Sequence, residues 1–504
     1  MESVVSIASS VAAGQVRPTA VVAEHIARHA ETAGALNALI QPRHVAASAE
    51  AEQLEIHLQR GLTAPPLAGV PVSVKECFAV AGQITSLGIP QRRGAIDPVD
   101  AAIVTRLRAA GAIIVGKGNV PQAMYLHETD NPVWGRTNHP LHPARGPGGS
   151  SGGDAALVAA GVVPLAVGTD LAGSIRQPAH ACGVAGFLPR SAVIGEGGAF
   201  DTVPHLFVVR PRVGFLAQRV DDLALALEAV VGATTACLST TGAGDLTGGL
   251  RVAWWDDAGP IEPSPAVRRA VHEAVGRLER AGVTTTRLDG GVALEAAWLL
   301  LAILSADGGA DIRRLFGNTR PIPPVARLLR LAAAPRWQRS LLAAVSQIMG
   351  GRIEALALRA TGPRAAAAVA QLSEDRTAFA ARFAAATAPF DALVCPVSAV
   401  PALLHGTAAR LLLAAAPCLL ANLLDLPAGA VAVTEVWPEE QEKRCRSRDP
   451  VMRAAAATDR NSLGLPVGVQ VVGVPDGLSA TDALRPERVV LDVMRLIERK
   501  TFSR

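Results

Sequence analysis

The chain of 504 residues is poor in aromatic side chains and lacks any paired cysteine motif. Phe, Trp and Tyr together make up 3% of the sequence, and Tyr125 is the single tyrosine. The six cysteines stand without CxxC spacing, which argues against a zinc site and against a disulfide framework. This usage is typical of a reducing compartment, so we expect a cytoplasmic protein. The cysteines are Cys77, Cys182, Cys237, Cys395, Cys418 and Cys445.

The sequence also lacks an excess of one charge. Its 48 Lys and Arg residues nearly balance 44 Asp and Glu residues, and no basic run alternates with aromatic residues. Both features argue against a nucleic-acid-binding protein. The start of the chain, from Met1, does not have the pattern of a signal peptide. The longest charge-free apolar stretch of the second half, residues 411–424, has 14 residues, which predicts a buried helix and no membrane span.

Lysine is scarce, since only four of the 48 basic residues are lysines. One of them, Lys75, nevertheless ends the apolar, strand-like run that begins at Pro71. Arginine stays protonated in proteins, whereas a buried lysine can be neutral near pH 7 and accept a proton. Lys75 is therefore a candidate general base. The alternative is a lysine whose ammonium group reaches solvent from the end of a strand.

Two glycine-rich turns that carry serine stand out in the first half of the chain, at residues 148–153 and 168–174. The segment between them predicts a helix over Asp154–Ala160 and a buried strand over Val162–Val167. Glycine adopts backbone conformations that other residues resist, so such turns can direct several amide N–H groups at one point. This arrangement suits an oxyanion hole beside a serine nucleophile.

These motifs together resemble the amidase signature family of serine hydrolases. The matching residues are PVSVKE at 71–76, GGSSGG at 148–153 and GTDLAGSIR at 168–176. The likeness covers residues 1–235 and 385–497, and the two serines stand 24 positions apart as in the family. The resemblance implies that Lys75 is the base, Ser150 the bridging serine and Ser174 the acylated nucleophile.

The resemblance also assigns roles to the backbone and to the residues around the two turns. The N–H groups that would face the oxyanion belong to Leu171, Ala172, Gly173 and Ser174. The peptide bond before Ser150 would be cis, and its surroundings would be held by hydrogen bonds from Ser151, Asp170 and Arg176. Ala172 departs from the family, which usually has glycine at this position.

Residues 120–140 resemble one branch of the family in particular, the fatty acid amide hydrolases. In that branch the matching positions line the acyl pocket, which implies substrate-binding roles for Met124, Tyr125 and His127. The alternative is a core loop with a polar tip. We therefore expect hydrolysis of an apolar amide, fatty acyl or aryl, through an acyl-enzyme intermediate, with no cofactor and no metal.

Three other patterns are weaker candidate sites. Gly149, Ser151 and Gly153 match G-x-S-x-G, but no buried strand precedes them, as the nucleophile of an α/β-hydrolase requires. Lys117 follows a glycine, but the full phosphate-loop spacing is missing. His25 and His29 are four residues apart, but the metalloprotease pattern is absent and we expect both to face solvent.

The sequence predicts an α/β protein with the amidase signature fold, a mixed central sheet with helices on both faces. We expect a single amidase domain over residues 1–504. Its parts would be an N-terminal part (1–235), a helix-rich insertion and cover (236–384) and a C-terminal part that completes the sheet (385–504). Residues 235–250 are loop-like and mark the internal boundary. Strand, helix and strand follow at Arg251–Trp255, Pro265–Ala281 and Val283–Leu288.

Residues 321–353 combine arginines with leucines and one tryptophan. Our favoured interpretation is a surface helix that covers the core, and the alternative is weak contact with a membrane surface. The expected partner is a small-molecule amide, with no nucleic acid. Two alternatives stay open, namely an amidotransferase-type subunit that delivers ammonia to a partner and an amidase that acts on a biosynthetic intermediate. The family's frequent dimers make a homodimer a further option.

Overall fold

The computed structural model describes residues 2–232, 249–257, 259–475 and 483–499. The predicted internal boundary at residues 235–250 lies outside these described residues, apart from Gly249 and Leu250. Cys237 also lies outside them.

The strands of the described part are β1 (Leu39–Pro42), β2 (Pro71–Lys75), β3 (Ile113–Gly118), β4 (Asp130–Asn131), β5 (Gly135–Arg136), β6 (Leu165–Asp170), β7 (Ala185–Leu188), β8 (Arg212–Ala217), β9 (Arg251–Trp254), β10 (Thr284–Arg287), β11 (Ala392–Pro396), β12 (Ala428–Glu435) and β13 (Pro466–Gly473).

Helices of the described part connect and cover these strands. They are α1 (Val4–Ala12), α2 (Pro18–Leu36), α3 (His44–Gln59), α4 (Ala102–Ala109), α5 (Gly152–Ala159), α6 (Arg176–Cys182), α7 (Val220–Val231), α8 (Pro265–Arg280), α9 (Gly291–Leu304), α10 (Ala310–Phe316), α11 (Pro323–Ala333), α12 (Arg336–Ile348), α13 (Arg352–Ala360), α14 (Ala366–Thr387), α15 (Leu419–Leu424), α16 (Pro450–Asp459) and α17 (Arg485–Ile497).

Eleven of the described strands form one mixed sheet, which confirms the predicted fold class. The strand order is β1-β3-β2-β6-β8-β7-β12-β13-β11-β9-β10. Strands β3, β2 and β6 are parallel to one another, and so are β11, β9 and β10. The strands between these groups are antiparallel. The late strands β12 and β13 therefore lie in the interior of the sheet, and β12 pairs with β7 from the first half of the chain.

Side chains alternate along the strands and form an apolar core on each face of the sheet. Val72 and Val74 of β2 belong to one core cluster, to which α4, α7, α8 and α17 contribute. Ala166 of β6 belongs to a second cluster, to which α5 and α6 contribute. Helices thus cover both faces, as predicted. Because of the alternation, Ser73 and Lys75 face α5 and not the first cluster.

The predicted elements around the two turns are present with shifted bounds. The helix predicted over Asp154–Ala160 is α5, which begins two residues earlier. The strand predicted over Val162–Val167 is β6, which begins and ends three residues later. Pairing with β8 extends β6 through the glycine-containing turn to Asp170, which lies opposite Arg212. Long-range pairing here overrides the local preference of glycine for a turn.

The strand, helix and strand predicted after residue 250 are β9, α8 and β10, and they add two parallel strands to the edge of the sheet. Residues 411–424 are buried as predicted, but they are not one α-helix. A 3-10 helix over Leu412–Cys418 precedes α15, and it contains Pro417. Proline has no N–H to donate inside an α-helix, which explains the break.

The prediction for His25 is wrong. His25 is buried, and its Nδ1 lies 2.8 Å from the carbonyl oxygen of Val162. The ring of His29 packs edge-on against His44 with a centroid separation of 5.0 Å. The two rings therefore have separate partners although they share a helix.

The region over residues 321–353 forms two helices, α11 and α12, and not the single covering helix that we favoured. The apolar stripe of α12 faces solvent, with Trp337 66% exposed and Ile348 87% exposed. Its buried residues are Arg339 and Ala343, on the opposite side of the helix. None of the helices in the described ranges is both long and apolar enough to cross a membrane.

Candidate active site

Lys75 ends β2 with its side chain fully enclosed. Its Nζ lies 2.8 Å from Ser150 Oγ and 2.8 Å from Thr169 Oγ1, and it also donates to the carbonyl oxygen of Thr169 at 3.3 Å. Burial lowers the pKa of Lys75 below its ordinary value, and negative charge at nearby acidic groups opposes this effect. An amine in such surroundings can accept a proton from the Ser150 hydroxyl.

Thr169 was missed by sequence reasoning, although it lies within the second motif. It is the penultimate residue of β6, and β6 lies next to β2, the strand that ends with Lys75. Its hydroxyl and carbonyl oxygen both accept from Lys75 and so fix the direction of the ammonium or amine group. The period of two along β6 does not mark it, because that period groups Thr169 with Leu165 and Val167 of the first core cluster.

The two serine-carrying turns meet next to this lysine. The Gly149–Ser150 peptide bond is cis, as the resemblance implied. The N–H of Ser151 donates to the carbonyl oxygen of Ser174 at 3.1 Å, which ties the turns together. Ser174 is half-buried, and among the described residues its hydroxyl has no hydrogen bond to Ser150. Contacts of this kind are often long in a free enzyme and tighten in its substrate complex.

Asp170 and Arg176 form a fully buried ion pair beneath the second turn, with Arg176 Nη2 3.0 Å from Asp170 Oδ1. The carboxylate also accepts from the backbone N–H groups of Gly173 at 2.7 Å and Ile175 at 3.0 Å. Burial alone would raise the pKa of Asp170, but the charge of Arg176 and these hydrogen bonds hold it below its ordinary value. The second turn is thus shaped by a permanently ionised carboxylate.

Two side chains from the second half of the chain complete this ion pair, and sequence reasoning missed both. Asn422 donates to Asp170 Oδ1 at 3.0 Å and accepts from Arg176 Nη2 at 2.7 Å. Gln470 accepts from Arg176 Nη1 at 3.0 Å. Neither residue belongs to the quoted motifs, and no local signal connects either of them to the second turn.

The backbone N–H groups of the second turn are not equivalent. Among the described residues, those of Leu171, Ala172 and Ser174 have no hydrogen-bond acceptor. The N–H of Gly173 differs from our expectation because it donates to Asp170. Three of the four predicted N–H groups are therefore available to an oxyanion, and Gly173 serves the turn itself through its positive φ of 95°.

Of the three residues predicted to bind substrate, His127 contacts this turn. His127 is buried, and its Nε2 lies 3.1 Å from the carbonyl oxygen of Ala172. Burial lowers the pKa of His127, so the ring is neutral near pH 7. Met124 and Tyr125 are half-buried and pack against the first core cluster. Met124 adopts a positive φ of 55°, which is uncommon for a side chain of this size.

The rival candidates have structural partners. Ser151 is fully buried and donates to the carbonyl oxygen of Thr169 at 3.4 Å, which does not fit an exposed nucleophile. Lys117 Nζ lies 3.0 Å from Asp97 Oδ2 in an ion pair. Burial raises the pKa of Cys77 to about 11, so its thiol stays protonated and unreactive near pH 7.

Other features of the described part do not involve the predicted residues. His205, Asp307 and Asp311 lie close enough for a metal ion. Both oxygens of Asp307 accept from backbone N–H groups, and Asp311 pairs with Arg314, which explains the cluster without a metal. A cleft of about 1030 Å³ lies between β9, α9 and α13, and none of the predicted site residues lines it.

Comparisons with known proteins find relatives over most of the chain. A family model described as Amidase matches residues 20–476. Fatty-acid amide hydrolase 1 of Sus scrofa is 32% identical over 455 residues, which cover 86% of this chain and 76% of that protein. The glutamyl-tRNA(Gln) amidotransferase of Deinococcus radiodurans has a subunit that is 30% identical over 505 residues, which cover 94% of this chain and 97% of that protein. A solved structure of a fatty acid amide hydrolase superposes with a TM-score of 0.82 at 20% identity, covering 98% and 84% of the two chains, and shows the same fold.

Proposed function

The chain belongs to the amidase signature family and is an amide hydrolase, and we propose that it works through an acyl-enzyme on Ser174. The proposed catalytic residues are Lys75 as base, Ser150 as bridge and Ser174 as nucleophile. The observation that carries this proposal is the buried contact of 2.8 Å between Lys75 Nζ and Ser150 Oγ, directly beside the turn that bears Ser174.

The proposed proton path begins at the contact between Lys75 and Ser150. Neutral Lys75 accepts the Ser150 proton, Ser150 accepts the proton of Ser174, and the Ser174 oxygen attacks the amide carbonyl carbon. The proton then returns through Ser150 to the nitrogen of the leaving amine, which must be protonated to depart. Water then hydrolyses the acyl-enzyme, and its proton follows the same path through Ser150. No cofactor takes part in these steps.

The negative charge that develops on the carbonyl oxygen needs fixed donors. We assign this role to the N–H groups of Leu171, Ala172 and Ser174, which have no acceptor among the described residues. Ser151, Asp170 and Arg176 hold in place the turn that carries these N–H groups. Donors that are already oriented stabilise the oxyanion without reorganisation, and each contributes about 3 kcal/mol in well-studied hydrolases.

The first test is intact-mass analysis after exposure to a fluorophosphonate probe. We expect one adduct on the wild type, none on Ser174→Ala, and labelling slowed at least about a hundredfold in Lys75→Ala, because the serine then lacks its base. Lys117→Met is the matched control. It removes a second fully buried lysine that pairs with Asp97 and not with a serine.

The control variant should be labelled at the wild-type rate once its folding has been checked by circular dichroism. An adduct that persists in Ser174→Ala would move the nucleophile to another residue. Equal slowing in Lys75→Ala and Lys117→Met would show that the loss of a buried lysine, and not of a base, is what slows the reaction.

We further propose that the substrate has an apolar acyl group, fatty or aryl. Met124 and Tyr125 offer an apolar wall, and His127 contacts the carbonyl oxygen of Ala172 in the oxyanion turn. The relative of Sus scrofa is named for fatty acid amides. A series of acyl amides of increasing chain length tests the fatty acyl case, and a KM that does not fall with chain length would contradict it.

An amidotransferase-type subunit is the second candidate, because the relative from Deinococcus radiodurans covers the chain almost end to end. Such a subunit would release ammonia to a partner. Hydrolysis of a simple amide by the purified chain alone, at a rate unaffected by added proteins, favours the independent amidase.

The exposed stripe of α12 supports contact with a lipid surface. Trp337, Leu341 and Ile348 lie on one face of the helix, and residues 321–353 contain five arginines and no acidic residue. Apolar side chains next to positive charge suit an anionic membrane interface. We expect co-sedimentation with anionic vesicles at low salt, its loss in Trp337→Ser/Ile348→Ser, and no change in Val45→Ser, which alters an 89% exposed side chain on α3.

A further inference from the structure

Asp154 is a buried carboxyl next to the proposed base that the mechanism above does not use. It stands in the first turn of α5, four residues after Ser150, and its side chain is fully enclosed. Its Oδ1 accepts from Ser73 Oγ at 2.9 Å. Its Oδ2 is also buried and has no hydrogen-bond partner among the described residues.

The strand register places this carboxyl on the same side of the sheet as Lys75, where the two groups interact through their charges and not through a direct ion pair. Ser73 and Lys75 are two residues apart on β2, so their side chains share one face of the sheet. In the adjacent strand β3, Gly118 lies directly opposite Lys75. The carboxyl of Asp154 rests on that glycine, because a Cβ added to Gly118 would lie only 2.3 Å from Asp154 Oδ1.

We propose that Asp154 is a positioning residue that titrates together with Lys75 as a coupled pair holding one proton, and that it thereby sets the pH at which the lysine can act as a base. This inference rests on the proposed role of Lys75. The shared proton has two locations, either an ammonium beside a carboxylate or an amine beside a carboxylic acid. Both forms hold the same number of protons and the same net charge, so the neutral amine becomes available without a net charge entering the buried site.

The electrostatics of the two groups agree with a shared proton. Burial raises the pKa of Asp154 to about 7, against the smaller opposing effects of the Ser73 hydrogen bond and the charge of Lys75. Burial lowers the pKa of Lys75, while the negative charge of Asp154 is one of the effects that raise it. The two pKa values therefore move toward each other.

Other titratable groups lie near the pair on several elements, and the charge state of each is explained by its own burial or contacts. Asp170 on β6 is neutralised by Arg176, and Glu76 accepts three hydrogen bonds from Ser86 and Leu87. His127 is neutral near pH 7, and Cys77 is protonated. Among the acids near Lys75, Asp154 is the one with a buried oxygen, Oδ2, that has no hydrogen-bond partner among the described residues. The groups that face the pair are Cys77, Glu76, His127, Asp170 and Arg176.

The test is the pH dependence of fluorophosphonate labelling of Ser174 in Asp154→Asn. Asparagine keeps the bond from Ser73 but cannot hold a negative charge. The pKa of Lys75 should fall, and the acid limb of the labelling rate should move to lower pH by about one unit. At the foot of that limb, the variant should label about tenfold faster than the wild type.

Asp222→Asn is the matched control. Asp222 stands in the first turn of α7, is buried, accepts from the Val5 N–H at 3.0 Å and has an unpartnered Oδ2 like that of Asp154. Burial raises its pKa to about 6. It lies on the other face of the sheet, so its substitution should leave the acid limb unchanged. Asp154→Ser is a second neutral variant, in case the asparagine disturbs folding.

The outcomes separate this inference from the proposed function. If both neutral variants at position 154 keep the wild-type acid limb while labelling still depends on Ser174 and Lys75, the shared proton is excluded and the mechanism stands. If the limb moves equally in Asp222→Asn, the shift is a general effect of neutralising buried carboxyls, and the inference fails. Labelling that does not depend on Ser174 would instead contradict the proposed function itself.

Discussion

Arg176 illustrates at the scale of one residue how the candidate site is held. Its guanidinium is fully buried, and it reaches Asp170, Asn422, Gln470 and the carbonyl oxygen of Cys418. A buried ion pair is costly to form, and removal of one partner leaves an uncompensated charge. The pair therefore fixes the second turn strongly as long as both members are present.

We predict that Arg176→Met lowers the free energy of unfolding by about 3–5 kcal/mol, because it leaves the Asp170 carboxylate buried without a cation. Urea denaturation near pH 7 measures the change. The control is Arg382→Met, which removes an exposed pairing with Glu295 and should cost at most about 1 kcal/mol. Similar losses in the two variants would show that the buried pair does not anchor the turn.

The sequence predicted the residues of the site that belong to local motifs and missed those that arrive from afar. Lys75, Ser150 and Ser174 lie where three short motifs place them, and the structure brings Lys75 to Ser150. Asn422 and Gln470 are separated from Arg176 by 246 and 294 residues, and no local pattern marks them. Hydrogen-bond partners so far apart in sequence follow only from the assembled sheet and the helices that pack on it.

At the scale of elements, local sequence patterns predicted which helices and strands exist better than they predicted where each one begins and ends. The helix over residues 265–281 was predicted within one residue, because its start has a serine cap and a proline and its apolar spacing is regular. The bounds of β6 were wrong by three residues, since pairing with β8 and not local preference decides where β6 ends. The outward face of α12 was also missed, because spacing alone does not tell which face of an amphipathic helix meets the core.

Strand β6 also shows why a glycine stands inside an element. A Cβ added to Gly168 would lie 2.6 Å from Ser151 Oγ, so only glycine leaves room for that serine. Ser151 in turn holds the carbonyl oxygen of Ser174 through its N–H. The position of the proposed nucleophile Ser174 thus depends on the absence of a side chain at Gly168, on the strand that leads into its turn.

We predict that Gly168→Ala slows fluorophosphonate labelling of Ser174 at least about tenfold, because displacement of catalytic groups by a fraction of an ångström is costly. Gly34→Ala is the control, since Gly34 lies within α2 with open space around it. That variant should label normally and gain about 0.5–1 kcal/mol of stability from helix propensity. Normal labelling in Gly168→Ala would mean that Ser151 can move without disturbing Ser174.

At the scale of the whole molecule, the two ends of the sequence depend on each other. Strand β12 pairs with β7, and β13 lies between β12 and β11. Arg145 from the first half donates to the carbonyl oxygens of Ala402, Thr458 and Arg460 in the second half. Neither half can satisfy its buried polar groups alone, which supports the proposal of one amidase domain.

We therefore predict that the protein unfolds in a single cooperative transition. Three probes should give the same urea midpoint: far-ultraviolet circular dichroism, tryptophan fluorescence and the loss of fluorophosphonate labelling. Four of the six tryptophans, Trp254, Trp255, Trp298 and Trp337, lie in the middle part, so the fluorescence reports mainly on that part, whereas labelling reports on Ser174 of the first part. If fluorescence changed at lower urea than labelling, the segment from β9 to α14 would unfold as an independent unit. Coincident midpoints would instead show that β9, the edge strand β10 and the helices around them are one structure with the catalytic half, because the sheet that carries Lys75 continues through them.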